Sequence, residues 1–256
     1  MKSLHQLLLT TIALLLTTSL FAQDVSPEFK AWGLGTLKLR FSRNTSFTIT
    51  QLSAIDLAPT RFQFLQVPLS MNRRIGERWN LDIGIMPSWF TQEDGVKMFN
   101  RVFTEVDFKQ RWGRLRMKHS LRTEYHFPQI RKYRMRFIYS NKISYQFRDA
   151  PGRLTPFLRQ QIFWYQSGRT IDYYEDGEIV ETAPSNGFHR YRMTLGVRAR
   201  LAKRFYGSLF YTWQREFNVP WTERGLNVQR PNGRIQAPFN NYALIGVGLS
   251  YTLKLY

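Results

Sequence analysis

His126 stands two residues after Glu124, so on an extended strand both side chains leave the same face. An imidazole beside a carboxylate is two-thirds of a nucleophilic site. Neighbouring elements would have to supply a serine and an oxyanion donor at the same height, giving a lipid-modifying hydrolase. A polar histidine with a structural role is the plainer reading, and no enzyme is expected. Of the other histidines, His5 stands near the N-terminus, and His119 and His189 add no motif. There is no cysteine, which removes thiolate nucleophiles, thiolate metal sites and disulfides. Neither an HExxH helix nor a phosphate-binding glycine loop is present. Residues 168–187 carry Asp172, Glu175, Asp176, Glu178 and Glu181, but not in the order of a calcium loop. Asp176-Gly177 between "IDYYE" and "EIV" predicts a hairpin turn instead. No metal and no cofactor are expected.

The stronger chemistry is that of guanidinium and carboxylate. Lys and Arg number 37 against 18 Asp and Glu, a formal net charge of +19. In "RLRMKHSLRTEY" (114–125) the charges fall at alternate positions, with Arg116, Arg122 and Glu124 on one parity. Arg134 and Arg136, then Arg159, then Arg190 and Arg192, and finally Glu216 recur in similar alternating runs. Arginines on one face outnumber acids, so each acid is expected to be shared among several guanidiniums, in the bidentate geometry these groups favour. Glu124 is the expected centre of such a network, with Arg122, Arg134 and Arg136.

Period-two alternation calls for strands. From about Trp32 to the end, apolar and polar residues alternate almost everywhere. Eleven good strands follow from this pattern, each roughly 10–15 residues against about 5–6 in soluble sheets. Residues 24–33 are a candidate twelfth. Short turns near 43–45, 74–78, 112–114, 149–154 and 202–204 alternate with longer connections near 91–98, 168–187 and 218–239.

The N-terminus, "MKSLHQLLLTTIALLLTTSLFAQD", has a basic start, an apolar run and a polar exit. It is the layout of a secretory signal peptide over residues 1–22, leaving 23–256 as one domain. Export makes nucleic acid an improbable partner despite the charge. A bilayer admits strands only as a closed barrel, because every backbone group must be paired. The expected fold is therefore all-β: a single antiparallel transmembrane β-barrel of about 12 strands (10–12), with short periplasmic turns and longer outer loops. The apolar face meets lipid. Arg116, Arg122, Glu124, Arg134, Arg136, Arg159, Arg190, Arg192 and Glu216 line the lumen. Trp79, Trp89, Trp112, Trp164 and Trp213 suit the interfacial girdles. A soluble lipocalin-like barrel would invert this pattern.

The final strand contains "GVGLSYTL" (246–253), whose Gly248, Tyr251 and Leu253 resemble an outer-membrane assembly signal. Tyr256 lies on the other parity. With "RLRMKHSLRTEY", "RKYRMRFIYSNKISY" (131–145), "PFLRQQIFWY" (156–165) and "FHRYRMTLGVRARLAKRFYGSLFYTWQ" (188–214), the chain resembles a Bacteroidota-type family of outer-membrane barrels, catalogued as a domain of unknown function of the two-thousand-four-hundred-and-ninety series. The resemblance implies an integral outer-membrane barrel and brings no activity with it. Expected partners are outer-membrane lipid, lipopolysaccharide and the barrel-assembly machinery. The leading functional expectation is a structural barrel or narrow anion-preferring pore. The alternatives are a surface binding protein acting through loops 168–187 and 218–239, and a lipid-modifying enzyme acting through His126.

Overall fold

The computed structural model describes residues 28–92, 94–130, 132–147, 149–219 and 224–256. The signal peptide expected over residues 1–22 lies outside these residues. The strands are β1 (Glu28–Arg40), β2 (Thr45–Leu57), β3 (Thr60–Gln66), β4 (Leu69–Arg74), β5 (Trp79–Ile85), β6 (Ser88–Gln92), β7 (Gly95–Trp112), β8 (Leu115–Phe127), β9 (Met135–Tyr145), β10 (Thr155–Gln166), β11 (Thr170–Glu175), β12 (Glu178–Pro184), β13 (Gly187–Ala202), β14 (Phe205–Glu216), β15 (Val228–Gln229), β16 (Ile235–Gln236) and β17 (Tyr242–Lys254).

β3 with β4, and β5 with β6, are each one wall strand in two segments. The breaks fall at Pro68 and Pro87, which have no N–H to give to a ladder. Their carbonyls still accept, from Thr50 N at 2.9 Å and from Val67 N at 3.0 Å, so the wall continues past both. Counted this way, the described wall has eleven strands, each antiparallel to the next in sequence. An odd number of alternating strands brings the first and last into the same direction. β1 and β17 accordingly close the barrel in parallel, in register from Glu28↔Tyr242 to Arg40↔Lys254.

Eleven falls within the expected range, but residues 28–33 do not form a separate strand. They are the first half of β1, paired to β17 from Glu28 and to β2 from Lys30. Residues 91–98 also differ from expectation. The Gln92↔Gly95 pair makes them the tip of a tight hairpin between β6 and the 18-residue β7. The long connections that remain at this end are 128–134, 167–186 and 217–241, and the short turns occupy the other end. The first of these ends is the loop end and the second is the turn end. Asp176 and Gly177, with φ of 50° and 87°, close the β11–β12 hairpin as the turn residues predict.

The outer face is apolar. Leu195, Leu209 and Ile245 are 48%, 54% and 58% exposed and stand on adjacent strands, and Val247 and Leu249 extend the same surface. Trp79 and Trp112 mark its turn end, and Trp164 with Phe188 its loop end. A soluble lipocalin-like barrel would turn this set inward, the opposite of the sorting observed. Inside, the row Phe157–Gly196–Phe210–Gly246 alternates ring and glycine across β10, β13, β14 and β17. A Cβ on Gly246 would lie 2.1 Å from the Phe210 ring, so the glycine is what admits it.

Candidate functional site

Two buried carboxylates organise the loop end of the lumen. Glu124, 2% exposed on β8, faces Arg136 across the β8–β9 pair. Arg136 donates to Glu124 Oε2 from Nε at 3.1 Å and Nη2 at 2.5 Å. Arg101 Nη1 reaches the same oxygen at 3.3 Å, and Arg122 Nη1 reaches Oε1 at 3.5 Å. Arg122 also donates to Glu105 Oε2 at 2.5 Å and lies over the Phe103 ring. Three guanidiniums on one carboxylate explain how so many cations tolerate burial: charge is shared and the lone pairs are filled.

Glu216, at the end of β14, is 1% exposed. Its Oε1 accepts from Arg190 Nε at 3.1 Å, Arg190 Nη2 at 2.5 Å and Tyr165 OH at 2.8 Å. Its Oε2 accepts from Lys132 Nζ and from the Asn240 backbone N–H at 2.8 Å. Burial pushes the Lys132 ammonium below its ordinary value of 10.5, and Glu216 opposes that shift. The two clusters meet through tyrosines. Arg136 Nη1 donates to Tyr133 OH at 2.8 Å, and the Tyr133 ring lies 4.4 Å from that of Tyr165. Phe163 receives Arg136, Arg190 and Arg192 around one ring.

The loops complete this closure. Ile171, Leu226, Ala237 and Phe239 pack with Tyr133, Ile138, Phe163 and Tyr165 into one apolar cluster. The loops also bind each other: Tyr173 OH donates to Gly225 O at 3.1 Å, and Gln236 Nε2 to Asp172 O at 3.0 Å. Burial raises the Tyr173 phenol above its ordinary value. Sequence periodicity gives no sign of this plug, because Tyr133, Ile171, Leu226, Ala237 and Phe239 come from outside the long strands to pack on Ile138, Phe163 and Tyr165.

The remaining sequence-selected residues distribute as follows. Arg192 donates to Gln214 Oε1 and to Tyr242 OH at 2.9 Å. Arg116 is exposed at the turn end, with Nη2 2.6 Å from Gln146 Oε1. Arg159 is half-buried on β10 opposite Lys142. Arg134 is not part of the Glu124 cluster. It precedes β9, where the strand period no longer governs, and its exposed guanidinium lies 5.3 Å from the Tyr125 ring. Gly248, Tyr251 and Leu253 all lie in β17; Gly248 sits against Ser208, and the other two are exposed on the outer face.

His126 Nε2 is 3.4 Å from Glu124 Oε2, and the closest ring is Tyr133 at 4.9 Å. Among the described residues, the recorded side-chain partners of His126 include no serine. A serine–histidine pair does occur elsewhere: Ser185 Oγ is 2.9 Å from His189 Nε2. Both are almost wholly buried, and Ser185 Oγ also donates to Arg224 O at 2.9 Å. The pair fastens the two loops to β13. Among the described residues no group of three or more His, Asp and Glu side chains is placed to hold a metal ion.

A closed β-barrel, antiparallel except at the β1–β17 seam, with an apolar outer wall and buried ion-pair clusters inside defines the class of this protein. Residues 29–223 match the family described as "Protein of unknown function (DUF2490)", and the chain belongs to it. No curated protein matches the chain. Among solved structures it is similar to the NanC porin in its rhombohedral crystal form, with 9% identity and a TM-score of 0.47 over 85% of this chain and 91% of that one.

Proposed function

We propose that the protein is an integral outer-membrane β-barrel whose Arg- and Lys-lined lumen is a narrow, anion-preferring passage, closed at the loop end in this structure. One observation carries the reading: around a closed hydrogen-bonded wall, large apolar side chains face out and charged ones face in. No helix among the described residues is long and apolar enough to cross a membrane. The crossing elements in this reading are the strands of the closed wall, whose backbone groups are paired. The leader and the strand lengths favour a bacterial outer membrane, with the turns in the periplasm, the loops outside, and lipid, lipopolysaccharide and the assembly machinery as partners. The loops spend their buried apolar residues on the plug, which favours closure over adhesion. No catalytic role is assigned to His126 or His189.

Rings of basic side chains favour anions in pores. Purified protein in a planar bilayer under a salt gradient should give small currents whose reversal potential reports anion preference. Cation preference would contradict the reading, as would a lumen that stays silent even when the plug is weakened.

A further inference from the structure

Below the plug, four successive strands each place a cation in one cross-strand row. Lys109 on β7 is directly opposite Lys118 on β8, which is opposite Lys142 on β9, which is opposite Arg159 on β10. Adjacent strands are about 4.8 Å apart, so the row spans about 14 Å. Like charges directly opposite one another destabilise a sheet. Lys118 has acids at hand, Asp107 at 2.7 Å and Glu105 at 3.2 Å. Among the described residues no carboxylate lies within ion-pair distance of Lys142 or Arg159. The charged groups acting on Lys142 are Arg159, Arg198 and Lys118, all cations. Those acting on Arg159 are Arg192, Arg122 and Glu105, and Glu105 is already held by Arg122 and Lys118. Arg159 Nε is buried without a hydrogen-bond partner. The Lys142 ammonium lies 4.1 Å from the centre of the Phe157 ring, a weaker substitute for an anion.

Access runs from the turn end. Lys109, Arg116 and Arg198 are exposed, whereas Glu124, Arg136, Arg190 and Glu216 on the loop side are buried. We propose that Lys142 and Arg159, flanked by Lys118 and Arg198, form a binding site for a soluble oxyanion carrying several negative charges, entering from the turn end. Guanidinium and ammonium side by side suit phosphoryl or carboxylate oxygens. A chain of charges suits an extended row better than one monovalent ion. The row faces away from lipid, so a headgroup in the bilayer does not meet it. The site rests on the reading of the lumen as open to small anions.

Inorganic tripolyphosphate is the probe, titrated calorimetrically into the full-length barrel in neutral detergent at constant ionic strength. The wild type should bind it. Lys142→Gln with Arg159→Gln should weaken binding roughly tenfold or more, since hydrogen bonds to charged groups are lost. Arg43→Gln, in an exposed turn, removes one charge away from the row and should leave binding unchanged. The paired variant should also be at least as heat-stable as wild type without the probe, because repulsion is relieved, which separates lost binding from lost fold. No binding by folded wild type, or equal binding by all variants, overturns the site. So does binding to anionic phospholipid micelles that disappears in the paired variant, because the source would then be a headgroup. Anion-selective current without tripolyphosphate binding overturns the site and leaves the passage; binding without current, even when Glu124→Gln weakens the plug, leaves the site and overturns the passage.

Discussion

Glu124→Gln is expected to loosen the plug and raise the conductance of the barrel. The wild-type carboxylate accepts from Arg136, Arg101 and Arg122 and has His126 beside it. An amide places its own N–H₂ donors against guanidinium donors and removes the only acid in contact with Arg101 and Arg136 among the described residues. Breaking one partner of a buried ionic network costs about 3–5 kcal/mol, and water reaching the half-buried Arg122 side lowers that figure. The variant should keep the unheated gel mobility of a folded barrel, unfold at lower urea, and pass more current than wild type. Unchanged current together with an unchanged urea midpoint would show that Glu124 does not hold the plug.

Glu216→Gln should act on the loops first. Oε2 receives an ammonium and the Asn240 N–H, and Glu216 N donates to Asn241 Oδ1 at 2.7 Å, so this residue anchors both ends of the 217–241 connection. With the amide, Lys132 and Arg190 are left buried without an acid among the described residues. The expected result is release of the connection: trypsin should cut at Arg224 and Arg234 in the variant far faster than in wild type, while Arg230 is spared by Pro231 and the strands stay protected. The defect has a pH sign. Lys132 already has a lowered proton affinity in the fold, and loss of Glu216 lowers it further. Between that lowered value and 10.5 the unfolded chain binds more protons than the folded one, so stability rises with pH there. Protection should therefore partly return as pH is raised toward 10.5. Wild-type cleavage kinetics in the variant would sink this account.

The strands were legible because the bilayer requirement imposes a period-two code over long runs. β8, β13 and β17 show it with few exceptions, and the side chains that flank Glu124 on its face follow from that code. Register was not legible: any even shift of one strand against the next keeps the same alternation. The row Lys109–Lys118–Lys142–Arg159 is therefore visible only once the pairings are known. Periodicity also fails where strands end. Tyr133 reads as part of the outer apolar face of β9 but is buried in the mouth, and Arg134 reads as lumen but stacks near Tyr125. Residues 91–98 carry Asp94-Gly95, a turn pair, yet their mixed polarity suggests a longer loop than the hairpin that forms. The plug was the least legible part. Ile171, Leu226, Ala237 and Phe239 sit in segments rich in turn residues, and only the three-dimensional closure of the barrel gives them a common surface.

The central claim is the sorting of faces, apolar to lipid and polar to lumen, around a closed wall. The chain has no cysteine, so single cysteines can be placed at will. Spin labels at Ser208→Cys and Leu209→Cys, neighbours on β14, read the two faces in a reconstituted bilayer. The account predicts that the label at position 209 collides mainly with oxygen dissolved in lipid and the label at 208 mainly with a water-soluble nickel chelate. Equal accessibility at both positions, or the reverse order, would contradict it.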